Sequence, residues 1–84
     1  MIYLVVYDIT DEKRLAKVAK YLEKIGLRVQ NSTFEIDTSI ISLNISKIFD
    51  DLVKLCVDGD KIFIYPIKKK QDIQLKTDNW DMVL

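Results

Sequence analysis

Histidine is absent from all 84 residues, cysteine and proline occur once each, and glycine occurs twice. The missing histidine removes imidazole general bases, zinc–imidazole centres and histidine-dependent triads together. Lone Cys56 forms no intrachain disulfide and builds no thiolate metal site by itself, which points to a reducing cytoplasm. Long apolar runs are missing too: Ile2–Tyr7 falls far short of a bilayer span. It also lacks the basic head and small-residue cleavage site of a signal peptide, so no membrane association is expected. Neither sign of charge is in excess, with 13 basic and 13 acidic side chains and a net charge of zero. Affinity for nucleic acid must therefore come from a local patch rather than the global field. Any hydrolytic chemistry must rely on carboxylates, hydroxyls and a hard cation held by oxygen ligands.

What is present describes one small globular domain over residues 1–84, with 49% apolar and 31% charged residues. Its expected core is 1–67, followed by a tail, 68–84. Ile2–Tyr7 reads as a buried strand ended by Asp8. Thr10 or Asp11 then caps a helix whose buried face is Leu15, Val18, Ala19, Leu22 and Ile25, and Gly26 sits at its C-terminal cap. Leu27, Val29, Phe34 and Ile36 mark two short strands joined by a tight turn or bulge around Asn31–Ser32. A second amphipathic helix begins between Ser39 and Leu43, with Ile45, Ile48, Phe49, Leu52 and Leu55 or Cys56 inside. Asp58–Gly59 is a turn, and Ile62–Tyr65 is a last apolar strand closed by Pro66. The order predicts an α+β fold, a ferredoxin-like βαββαβ sandwich with two helices on one face of an antiparallel sheet.

Both Ile2–Tyr7 and Ile62–Tyr65 are apolar on two faces, whereas two helices cover only one. A bare apolar sheet face invites aggregation, so a homodimer packed through the open faces is expected. Trp80–Leu84 offers a further strand for an edge of the partner's sheet, making the tail a region for dimer and partner contacts.

Asp8 has two readings. As a turn or cap residue, its oxygens satisfy local backbone donors. Alternatively, a two-fold axis near the strand end brings Asp8 from two copies together as a Mg²⁺ site, completed by water and a substrate phosphate. Lys13, Lys17, Lys20 and Lys24 fall on one side of the first helix. They are either a solvated face or a stripe that meets a phosphate backbone, which Arg14 and Arg28 would extend. Lys68–Lys70 is a basic arm or a solubilising edge. Gln30–Asn31–Ser32 serves a turn or hydrogen bonds to phosphate and sugar oxygens. Phe34 is a core residue or a stacking surface for a base.

Three segments carry a family likeness: V-V-Y-D-I-T-D-E-K-R at Val5–Arg14, G-L-R-V-Q-N-S-T-F-E at Gly26–Glu35, and D-K-I-F-I-Y-P-I at Asp60–Ile67. In this order, with helices between them, they resemble the small CRISPR-associated "Cas two" family of spacer acquisition over about four-fifths of the chain. The resemblance implies a ferredoxin-like homodimer and an endonuclease using Mg²⁺ or another divalent cation to hydrolyse phosphodiesters of single-stranded RNA or duplex DNA. It implies that Asp8 is the metal-binding catalytic position shared across the dimer axis, and that Arg14, Arg28, Ser32 and Phe34 support substrate or active site. It further implies a scaffold in which the dimer holds duplex DNA and bridges CRISPR integrase subunits. Thr38–Ser46 carries fewer charges than is usual there, Thr33 stands where valine is commoner, and the tail beyond Lys70 matches little. Two other functions suit the same fold: a toxin-type ribonuclease and a non-catalytic ligand-binding regulatory module. A basic-aromatic RNA-recognition signature is missing from the central strands, and no glycine-rich phosphate loop precedes the first helix.

Overall fold

The structure, a computed structural model, describes residues 1–67. Its elements are β1 (Ile2–Asp8), α1 (Glu12–Ile25), β2 (Leu27–Gln30), β3 (Thr33–Asp37), α2 (Ile45–Leu55) and β4 (Lys61–Ile67). The sheet runs β2-β3-β1-β4, and every neighbouring pair is antiparallel. That is the ferredoxin-like arrangement expected from the order of elements. The tail, with the expected strand at Trp80–Leu84 and the basic run at Lys68–Lys70, lies outside the described residues.

Because successive side chains alternate across a strand, β1 faces two environments. Val5 and Tyr7 point towards the helices, where Phe34 and Ile36 of β3 meet Val18, Ala19 and Leu22 of α1 and Ile48 and Leu52 of α2. Ile2, Leu4, Val6 and Asp8 occupy the opposite face. There Leu4 and Ile67, each 2% exposed, pack with Ile2 and Val29 in a second cluster that no helical residue joins. This face is mixed rather than wholly apolar, since Thr33 and Glu35 are buried on it. Phe63 and Tyr65 remain 44% and 41% exposed, with their rings stacked at 6.5 Å between centroids.

Local chemistry sets the boundaries. Asp11, not Thr10, caps α1: its carboxylate accepts from the Arg14 N–H at 2.9 Å. Gly26 closes the helix by donating to the Leu22 carbonyl at 2.8 Å, in an extended conformation rather than a left-handed one. Its lack of a side chain serves proximity, since a Cβ there would lie 2.5 Å from the Glu35 carbonyl oxygen and 2.9 Å from Ile36 Cγ1. Between β2 and β3 both expected features occur, a turn at Asn31–Ser32 and a bulge between Arg28 and Gln30.

Three expectations need correction. The second helix starts later than Ser39–Leu43, at Ile45, because Asn44 supplies the cap by accepting from the Lys47 N–H at 2.9 Å. Phe49 is 45% exposed rather than inside. The buried arc centres on Ile48 and Leu52, and the next residue lies about 100° round the helix. The last strand continues through Pro66 to Ile67. As an edge strand it tolerates proline, since the missing N–H need not break a ladder. The Asp58–Gly59 turn forms as expected, with Gly59 at φ +95°.

Gly26→Ala forces the first helix away from β3. Overpacking of this kind costs roughly 1–3 kcal/mol, so urea denaturation should show a lowered midpoint with a far-UV spectrum of native shape.

Candidate functional site

Asp8 ends the central strand, exposed, on the face turned away from the helices. It sits opposite Lys61 in the β1–β4 ladder. Neither of the two roles expected of a capping carboxylate is filled by it: Asp11 caps α1, and among the described residues Asp8 accepts no hydrogen bond and joins no ion pair. Its oxygens are therefore available to a ligand. Beside it, the Tyr7 N–H donates to the Ser32 carbonyl at 3.0 Å and the Tyr7 hydroxyl to the Asn31 carbonyl at 3.3 Å. These bonds draw the β2–β3 turn onto the same end of the sheet. Burial raises the Tyr7 phenol above its ordinary value; nearby Arg28 opposes the shift and Glu23 adds to it. Tyr7 is thus a neutral hydrogen-bond donor.

Arg14, on the first turn of α1, forms a two-pronged contact with Asp60: Nε to Oδ2 at 2.8 Å and Nη2 to Oδ1 at 3.1 Å. The Asp60 side chain is only 4% exposed and also accepts the Val57 N–H at 3.0 Å. Arg14's hydrogen bonds and the Val57 contact hold the Asp60 carboxyl below the usual carboxylate range. Arg28 crosses the Phe34 ring with its guanidinium carbon 5.0 Å from the centroid, and it bonds Glu23 Oε1 at 3.1 Å. Phe34 itself is fully buried and stacks against Tyr7. Its contact with Arg28 is a cation–π support inside the protein, and no face of the ring is open to a base.

The structure therefore brings the Asn31–Ser32 turn to the end of the sheet that carries Asp8, with Arg14 bracing the neighbouring loop, whereas Arg28 and Phe34, paired across β2 and β3, lie on the helix-covered face opposite to Asp8. Lys13, Lys17, Lys20 and Lys24 are elsewhere: all four are exposed on α1, on the side opposite Val18 and Leu22. The stripe and Asp8 thus occupy opposite sides of the molecule.

Residues 1–74 match the profile of the family described as CRISPR associated protein Cas2. The chain belongs to the Cas2 family. It is 38% identical over 68 residues to the "CRISPR-associated endoribonuclease Cas2" of Mycobacterium tuberculosis, covering 81% of this chain and 58% of that relative. The chain thus spans little more than half the length of that relative. Over 73 residues it is 41% identical to the "CRISPR-associated endoribonuclease Cas2 1" of Archaeoglobus fulgidus, covering 80% of this chain and 71% of the relative. The crystal structure of Streptococcus pyogenes Cas2 at pH 6.5 superposes with a TM-score of 0.66 at 32% identity, over 88% of this chain and 94% of that one.

In this Cas2 chain, two features of the site escaped the sequence. Asp60 gave no signal because its partner, Arg14, is 46 positions away. Lys61 lies between the Asp58–Gly59 turn and the expected strand Ile62–Tyr65, and its pairing with Asp8 is a matter of register. Burial, the largest influence, pushes the Cys56 thiol up, with Asp60 adding to the effect and Arg14 opposing it, so the thiolate is disfavoured. No helix among the described residues is long and apolar enough to cross a membrane.

The Arg14–Asp60 contact has a pH signature. Asp60's pKa is depressed in the fold from an ordinary 3.8, so its stabilisation is complete above about that pH and is lost as pH falls through the lower folded value. Asp51, held down chiefly by Lys47 and then by Tyr21, behaves in the same direction. Asp60→Asn should therefore lower stability near neutrality and flatten part of the acid limb below pH 3.8, with the Asp51 component retained in a pH series of thermal melts.

Proposed function

We propose that this Cas2 chain acts as a homodimer, packed through its helix-free sheet faces, that cleaves phosphodiester bonds in RNA with a divalent cation held between two Asp8 carboxylates. The observation that carries the reading is Asp8 itself: a carboxylate with no partner among the described residues, at the exposed end of an otherwise apolar central strand. The relatives named endoribonucleases supply the substrate class. The apolar surface of Val6, Phe63 and Tyr65 supports the choice of interface, since water is a poor neighbour for it.

The donor set fits a Mg²⁺ ion only across such a dimer. Among the described residues of one chain, no group of three or more acidic, thiol or imidazole side chains is arranged to hold a metal. Mg²⁺ commonly keeps several waters and takes one or two protein carboxylates together with substrate phosphates, which two Asp8 side chains satisfy. When bound there, the ion supplies Lewis acidity towards the phosphate and acidifies water, chemistry that needs no histidine. The chain's own contribution is placement. Strands on both sides hold β1 in register up to its last residue on the β4 side, where Asp8 pairs with Lys61. The Tyr7–Ser32 bond fixes the turn on one flank, and the Arg14–Asp60 contact fixes the loop on the other.

A second activity belongs to the same proposal. Four exposed lysines in line on α1 suit the phosphate backbone of duplex DNA, read without regard to sequence and weakened by salt. That surface points away from the Asp8 face. Scaffolding of duplex DNA beside a CRISPR integrase subunit is therefore compatible with a dimer whose sheet faces are closed together.

Asp8→Asn, assayed on single-stranded RNA with and without Mg²⁺, should abolish metal-dependent cleavage. Duplex binding and a dimeric sedimentation coefficient should both survive. Undiminished cleavage in the variant, or a wild-type protein that sediments as a monomer at micromolar concentration, overturns the shared-carboxylate reading.

A further inference from the structure

We infer that Lys61 is a phosphate-contacting residue of the Asp8 site, its ammonium meeting a non-bridging oxygen of the nucleic-acid backbone. The location of the site rests on the function proposed above; the contact itself is argued from the strand end. Asp8 and Lys61 form the last pair of the β1–β4 ladder, so both side chains leave the same sheet face at the same level. Directly opposed residues in such a ladder stand about 5 Å apart at Cβ. An anion approaching Asp8 through a cation is thus within reach of a lysine on the neighbouring strand.

The basic side chains around this end have different commitments. Arg14 is engaged by Asp60, and Arg28 by Glu23 and the Phe34 ring. On α2, Lys47 is held by Asp51 at 2.9 Å. Lys61 is exposed and, among the described residues, has no hydrogen-bond or ion-pair partner, Asp8 included. A lysine whose role was to support strand pairing would be expected to close on the opposed carboxylate; this one does not. Its backbone is nonetheless anchored, because the preceding residue, Asp60, is pinned by Arg14 and by the Val57 N–H. The result is a movable charge on a fixed base.

Charge balance gives that ammonium a task. Two Asp8 carboxylates and one divalent cation sum to zero, so the metal centre alone has no net attraction for a phosphodiester anion. One Lys61 from each copy makes the site cationic before substrate arrives and supplies N–H donors to a phosphate oxygen. Lysine suits this as a compact charge on a flexible stem, able to follow the backbone without a fixed bidentate geometry.

The test uses the full-length chain and two probes, a fluorescent single-stranded oligoribonucleotide and a DNA duplex, with binding measured across a salt series both in Ca²⁺ and in EDTA. Lys61→Ala should weaken binding to the probe that enters the site and reduce the magnitude of its log K against log salt slope. The reduction expected is about 0.7 per lost contact on single-stranded RNA and about 0.9 on a duplex. Lys61→Arg should restore the slope. An unchanged melting temperature in Lys61→Ala separates loss of contact from loss of the ladder. Wild-type affinity and slope on both probes, in Lys61→Ala and again in Lys61→Gln, overturn the inference. A parallel Mn²⁺ titration followed by electron paramagnetic resonance keeps the two proposals apart. Ion binding that persists in Asp8→Asn defeats the metal site, while the Lys61 result is still read from the salt slope in EDTA.

Discussion

Two helices cover one face of a four-stranded sheet, and β1 carries apolar side chains on both of its faces. Val5 and Tyr7 belong to the helix-covered core, whereas Ile2 and Leu4 belong to a separate cluster with Val29 and Ile67. This two-sidedness is the constraint from which the rest of the molecule follows. It demands a central position for β1, flanked by β3 and β4, because only there are both faces shielded by neighbours. It also leaves Phe63 and Tyr65 on a surface that a second copy of the chain would bury. β4 pairs with this strand up to its last residue, and that end carries Asp8.

The neighbourhood of Asp8 is organised by contacts that do not involve it. Tyr7 ties down the Asn31–Ser32 turn through a backbone bond and its hydroxyl. Arg14 reaches from the first turn of α1 to a nearly buried Asp60, linking the segment after β1 to the segment before β4. Arg28 and Phe34, both matched by the family likeness, contact each other, with the guanidinium exposed and the ring buried beneath it. Three of the residues first considered as nucleic-acid contacts thus serve as supports in the single chain, while Asp8, Lys61 and the lysine stripe keep their polar groups outward.

Much of the fold was legible because its elements are strongly patterned. The Leu15, Val18, Ala19, Leu22 and Ile25 spacing specifies α1, and the order of elements specifies the ferredoxin-like topology. Single side chains decide the boundaries that periodicity leaves open: Asn44 caps α2, Phe49 lies just outside the buried arc, and Pro66 is accommodated on an edge. The candidate site was only half legible. Asp8 stood out because a carboxylate interrupts an apolar run, and the absence of histidine gave it weight. Asp60 and Lys61 did not, since nothing local distinguishes them from ordinary loop charges.

The sequence by itself determined the element types, the doubly apolar central strand and the restriction to oxygen-ligand chemistry, because periodicity and composition are local properties. Tertiary structure alone decided which charges are spent and which are free. Arg14 and Asp60 are 46 residues apart and neutralise each other through a contact made only when α1 and β4 pack on the same sheet. Asp8 and Lys61, 53 positions apart by their numbers (61 − 8), face each other only because antiparallel pairing sets that register. Whether an ion pair closes is then a question of side-chain placement at the strand end, and here it stays open.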